Sequence, residues 1–101
     1  MIKHIVIWKL KEEAEGKSKV ENGLKMKQLL ENLVGKVSGI VSLHVGLKTA
    51  ESPANSDDVI LVSEFKTWAD LDFYANHPEH LKVGEFIKKV VEKRSAVDYI
   101  Q

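Results

Sequence analysis

The chain of 101 residues carries 15 basic and 15 acidic side chains, four histidines and no cysteine, and 44% of it is hydrophobic. That is material for one small core, so a single domain over residues 1–101 is expected, with no disulfide, thiolate metal site or cysteine nucleophile. The zero net charge supplies no field to draw in nucleic acid or an anionic membrane, and no apolar run has the length of a membrane span or the pattern of a leader, so neither partner is expected and a cytoplasmic location is.

Residues Ile2 to Lys11 are β-branched and aromatic with charges interleaved, the pattern of a strand. Alternation puts Ile2, His4, Val6, Trp8 and Leu10 on one face and Lys3, Ile5, Ile7 and Lys9 on the other, so both faces carry bulky apolar groups. A polar connection from Glu12 to Lys17 leads to Ser18, which makes a capping box with Glu21 ahead of a helix carrying Val20, Leu24, Met26, Leu29, Leu30, Leu33 and Val34. Gly35 is its stop. Ile40 to Leu47 reads as a strand with Val41, Leu43, Val45 and Leu47 facing one way and Ser42, His44 and Gly46 the other. Lys48 to Asp58, with Pro53 and many small polar residues, is a surface loop, and Val59 to Phe65 is a third strand. Thr67, with Asp70 three residues on, opens a short helix. The next helix starts at Pro78, carries Val83, Phe86, Ile87, Val90 and Val91, and ends in basic Lys93-Arg94, before a short final strand from Ala96 to Ile100.

Chemistry is most concentrated in Tyr74-Ala75-Asn76-His77-Pro78-Glu79-His80, a phenol and two imidazoles around a proline that divides two helices. Proline disfavours helical geometry at His77, which becomes the cap, and places His80 in the first turn, continuing the buried stripe of Val83. Partial burial and the positive end of the helix dipole both oppose imidazolium, so His80 is expected neutral at pH 7 and able to accept a proton. Leu71, Tyr74 and Ala75 share one face of the preceding helix, so Tyr74 can look into the same cavity. Two readings stand side by side here, a ligand or reaction site and ordinary packing and capping.

His77 and His80 are three apart, but the intervening proline and the lack of an acidic cluster argue against a metal shell, and no cofactor is expected. Lys82, Lys88, Lys89, Lys93 and Arg94 are interleaved with Glu79, Glu85 and Glu92, with Glu85 to Lys89 and Lys88 to Glu92 four apart, which describes a solvated helix face.

Strand, helix, two strands, a helix pair and a strand is the order of an α+β, ferredoxin-like split βαβ protomer with a four-stranded antiparallel sheet. Its uncovered face would show Ile5, Ile7 and their neighbours, an apolar patch that predicts a homodimer joined through its sheet faces.

The opening Ile2-Lys3-His4-Ile5-Val6-Ile7-Trp8-Lys9-Leu10, the His77-Pro78-Glu79-His80 junction and the ending Val97-Asp98-Tyr99 together resemble the stress-responsive α/β-barrel domain family, the Dabb proteins. The resemblance covers essentially the whole chain and implies a dimeric α+β barrel, with function open: many members are uncharacterised or stress-induced, and one plant branch cyclises a linear polyketide by an aldol reaction. In that branch a tyrosine and a histidine act as a pair, and Tyr74 and His80 match them by their placement around the His-Pro pair. The implied pocket takes a small hydrophobic, phenolic or carbonyl ligand between helices and sheet, with His4, Leu61, Val59 and Val91 in its walls. Val59 and Val91, the latter expected on the long helix, replace a histidine and a tryptophan of the cyclase branch, so the pocket is less polar on one wall. Asp98 is placed to orient an imidazole or to end a strand in solvent. The wider superfamily includes haem-degrading monooxygenases, against which Trp68 and His77 can be compared, but the first strand lacks the asparagine that type requires. A purely structural or stress-protective dimer is the competing reading.

Overall fold

In the computed structural model, which describes residues 1–101, the strand β1 (Ile2–Leu10) is paired along its length on both sides. Two short strands, β2 (Glu13–Ala14) and β3 (Lys17–Ser18), follow as a hairpin where a plain polar connection was expected. Its two-residue turn, Glu15-Gly16, has both φ angles positive at 53° and 74°, the combination that matches the twist of a tight hairpin. Then come α1 (Lys19–Glu31) with a 3-10 turn at Asn32–Gly35, β4 (Ile40–Leu47), β5 (Val59–Phe65), α2 (Trp68–Asn76), α3 (Pro78–Val90) and β6 (Val91–Ile100). The sheet order β4-β5-β1-β6 is antiparallel throughout, and the helices cover one face: the ferredoxin-like α+β architecture. No helix is long and apolar enough to cross a membrane.

The inward side chains of β1, namely Ile2, Val6, Trp8 and Leu10, pack with Val45, Val59, Leu61 and Phe65 of the sheet against Met26, Leu30, Leu71, Tyr74, Val83 and Val90 of the helices. The Ser18–Glu21 capping box forms as the sequence predicts, but the helix it opens is turned. Asn22, Gly23, Met26 and Leu30 are its buried residues, while Val20, Leu24 and Val34 stand in solvent. The Asn22 amide donates to the Ala14 carbonyl at 3.0 Å, which draws this side of the helix onto the hairpin. In β4 the pairing slips between Ile40 and Ser42, so Val41 bulges outward and Ile40 takes the core side in its place.

The largest correction concerns the C-terminus. The last helix ends at Val90, and Val91 is already extended at φ −92° and ψ 136°. Lys93 and Arg94 therefore lie on β6, which pairs with β1 from Ile2↔Ile100 to Leu10↔Val91. The β-branched pair Val90-Val91 favours leaving the helix, and the nine-residue edge of β1 rewards a strand long enough to cover it. The expected pair Lys88–Glu92 is thereby lost, Glu85 pairs with Lys88 rather than Lys89, and Lys89–Glu15 and the cross-strand pair Lys9–Glu92 form.

The outer edge of β4 is closed by α1. The Glu31 carboxylate accepts from the Val45 amide at 3.0 Å, and Lys27 donates both to the Val45 carbonyl at 2.6 Å and to Glu31 at 2.9 Å. Two side chains thereby occupy a backbone position on an edge strand that another chain could otherwise pair with. The Lys27 ammonium and the Val45 amide hold the Glu31 carboxyl below its ordinary range. A group with a depressed folded pKa stabilises above its unfolded pKa and loses that contribution as pH falls. Glu31→Gln is expected to cost about 1 kcal/mol at pH 7, discounted for partial exposure, and much less at pH 3. Urea unfolding of both proteins at the two pH values checks it.

Candidate functional site

The site begins with the division between α2 and α3. Thr67 caps α2 by accepting from the Asp70 amide at 3.1 Å, which sets Leu71 and Tyr74 on its buried side. His77 leaves helical geometry at φ −67° and ψ 137°, and its Nδ1 accepts from the Glu79 amide at 3.0 Å, so this ring caps the next helix. With Pro78 in the first turn, His80 is carried back toward the end of α2, and its Nδ1 lies 3.0 Å from the Ala75 carbonyl. A carbonyl oxygen can only accept, so Nδ1 carries the proton and Nε2 is left with its lone pair. Burial lowers the His80 pKa; the Ala75 carbonyl opposes this, and His4 and Arg94 add to it. The ring is a neutral base.

Tyr74 packs against it with ring centroids 4.4 Å apart, and Phe65 and His4 lie at 5.2 and 6.2 Å from the tyrosine ring. The phenol is fully buried, which pushes its pKa well above the ordinary value, and its Oη has no hydrogen-bond partner. His4 reaches the group from the inward face of β1. Directly across the ladder, the Asp98 carboxylate lies 2.5 Å from His4 Nδ1, which fixes that nitrogen as a donor.

His80 and His4 border a cavity of about 170 Å³ together with Trp8, Leu61, Gly84 and Arg94, and Val6, Leu30, Val83, Ile87 and Lys88 complete its wall. Of the residues expected around a pocket, His4, Leu61 and His80 meet here. Tyr74 is not in the wall but behind His80, sealed from it. Val59 lines a different and larger cavity, and Val91 packs at the core margin where β6 begins. Arg94 does not stand out in the sequence, where a basic run reads as a helix end; at the period of a strand, residues 94, 96 and 98 share the face of Trp8, Val6 and His4. The guanidinium has no carboxylate partner. No group of three or more His, Cys, Asp or Glu side chains is placed to hold a metal ion.

The sequence matches the stress responsive A/B barrel domain family, Dabb, over residues 2–101. The chain belongs to the Dabb family. A dimeric protein of unknown function and ferredoxin-like fold from Bacteroides fragilis is 36% identical, with 97% of this chain and 93% of that one covered and a TM-score of 0.85. An Arabidopsis thaliana protein at 20% identity superposes with a TM-score of 0.79 over 100% of this chain and 95% of its own. A dimeric ferredoxin-like protein of unknown function from Thermobifida fusca at 18% identity gives 0.79 over 99% and 90%. No curated protein matches the chain. These similarities establish the Dabb fold and leave the chemistry to the side chains.

Because the folded state resists protonating His80, the unfolded chain binds the extra proton as pH drops through about 6.5, so this residue makes stability fall below that pH. Imidazole nitrogen NMR is expected to show His80 as the Nδ1–H tautomer, titrating below the ordinary histidine range, and His80→Phe is expected to flatten the stability profile between about pH 7 and 5.

Proposed function

We propose that this Dabb chain works as a homodimer that takes up a small carbonyl compound beside His80 and transfers a proton from its α-carbon. One observation carries the reading: His80, whose Nδ1 is tied to the Ala75 carbonyl and whose Nε2 has no protein partner, lines a cavity together with an Arg94 that has no carboxylate partner. The Trp8 indole N–H and the Tyr74 hydroxyl are both buried without partners, and Arg94 adds a free guanidinium. Of these donors it is Arg94, in the cavity wall, that a ligand oxygen can meet.

In the proposed step Nε2 takes the proton from the carbon, the C–H electron pair becomes the enolate, and the charge gathers on the carbonyl oxygen opposite Arg94. Return of the proton gives exchange or isomerisation; attack of the enolate carbon on a second carbonyl gives an aldol cyclisation, the polyketide-cyclase-like alternative. Tyr74 acts as a positioning residue that fixes the imidazole plane. The cavity of about 170 Å³ is smaller than the usual small-molecule site, so the substrate is small or only its reacting end enters.

The dimer rests on the uncovered sheet face, where Ile5, Ile7, Ile60 and Val62 are half-buried and Val97 and Tyr99 exposed, and on the dimeric description of the Bacteroides fragilis relative. A structural role for His80 has its own support in the Nδ1 bond that ties α3 to α2.

Acetylacetone tests the chemistry. The wild type is expected to exchange its C3 protons for deuterium faster than His80→Gln by about 10²- to 10⁴-fold; equal rates in a folded variant would leave only the structural role. Tyr74→Phe removes an unpaired buried hydroxyl and keeps the ring against His80, so it is expected to raise stability by about 1 kcal/mol and leave exchange unchanged. In sedimentation, the wild type is expected at dimer mass at micromolar concentration and Ile7→Lys at monomer mass.

A further inference from the structure

At the other end of the sheet lies a cavity of about 400 Å³, more than twice the volume beside His80. It sits between the first turns of α1 and the strand ends at Leu10, Leu47 and Val59, under the start of the loop that joins β4 to β5. Its size falls within the usual range of small-molecule sites, and it plays no part in the chemistry proposed above.

Three features point to an occupant. Val20 and Leu24, 71% and 50% exposed, stand on the rim on the side of α1 that the core does not use. Gly23 is buried in the interior of the same helix, where glycine is unfavourable, yet a Cβ there would meet Leu47, Leu10 and Val59 at ordinary contact distances of 3.6 to 3.9 Å. The fold does not demand glycine at this point; what glycine does is leave the cavity floor open. The third feature is Asp58, only 7% exposed. Its Oδ2 accepts from the Leu10 amide at 2.8 Å and faces the Lys19 ammonium at 3.5 Å, while Oδ1 takes no protein donor, and the residue lines this cavity.

The charges around the cavity define the ligand. Asp58 and Glu12 offset Lys19, which bridges them, and Lys48, whose ammonium donates to the Ala54 and Ser56 carbonyls at 3.2 and 3.1 Å and pins the loop. An anionic ligand would meet the Asp58 carboxylate and a cation the Lys19 ammonium, whereas a neutral hydroxyl can donate to Oδ1 without charge repulsion. We infer that this cavity is a second ligand site, for a neutral alkyl or aryl alcohol whose hydroxyl donates to Asp58 and whose apolar body lies over Gly23 between Leu24 and Leu47.

The full chain titrated with 4-butylphenol, followed by amide NMR shifts and Tm, tests this. Saturable shifts centred on Lys19, Gly23 and Val59 are expected, with a rise in Tm that persists in His80→Gln. Butylbenzene, without the hydroxyl, is expected to bind at least tenfold more weakly, as is 4-butylphenol to Gly23→Leu, which fills the floor. Should Gly23→Leu not fold, Leu24→Gln at the exposed rim is expected to weaken binding several-fold. Shifts centred on Trp8 and His80 and lost in His80→Gln would overturn the assignment, as would equal affinity for butylbenzene. So would a Leu24→Gln variant that loses the dimer but keeps its affinity, which would mean that a second copy covers this rim.

Discussion

Everything else in this protein is hung on the pleat of β1. Because it is paired on both sides, its residues cannot slip by one without exchanging the two faces of the sheet. Even-numbered positions send Ile2, Val6, Trp8 and Leu10 into the core, bring His4 to His80, and put Trp8 and Leu10 in the walls of two different cavities. Odd-numbered positions leave Ile5 and Ile7 on the face without helices. Core, candidate site and uncovered sheet face are thus three readings of one strand register.

The second constraint is Pro78. A continuous helix from Trp68 to Val90 would point Tyr74 and His80 in directions set by its own pitch, and the Ala75 carbonyl would be bonded within it. Breaking the chain at His77 leaves that carbonyl for His80 Nδ1, and this one bond fixes the tautomer and brings the tyrosine and imidazole rings to 4.4 Å. The same bond explains why structural and chemical roles of His80 are compatible: one nitrogen holds two helices together and the other is left over.

The fold was legible because its signals are local and strong. The Ser18–Glu21 box, Thr67, His77-Pro78 and the alternation of β1 each specify their own conformation, and the structure keeps all of them. What was not legible depended on partners distant in sequence. The rotation of α1 follows from Asn22 reaching a hairpin that periodicity does not reveal, and the bulge at Val41 exists only in relation to β5. At the candidate site, His80 and His4 were readable from helix and strand periods, but Arg94 depended on where α3 stops. Two valines at 90 and 91 decide that, against a basic run that reads equally well as a helix end. The sequence offers Asp98 as a partner for an imidazole, and only the register shows that the imidazole is His4.

The polar atoms left unpaired bear on whether this is more than a scaffold. Trp8 Nε1, Asn22 Oδ1 and Tyr74 Oη are buried without partners, and each such group costs about 1 to 3 kcal/mol, a sizeable fraction of the ~5–15 kcal/mol that holds a small domain folded. Were the region selected for stability alone, phenylalanine in place of Tyr74 would keep the packing against Phe65 and His80 and remove one penalty. Two of the three atoms are donors, one on Trp8, a residue of the His80 cavity wall, and one on Tyr74, whose ring packs against His80. The base with a free nitrogen and the Arg94 guanidinium border one small space, and that pairing of side chains, rather than the fold, is what the proposed chemistry rests on.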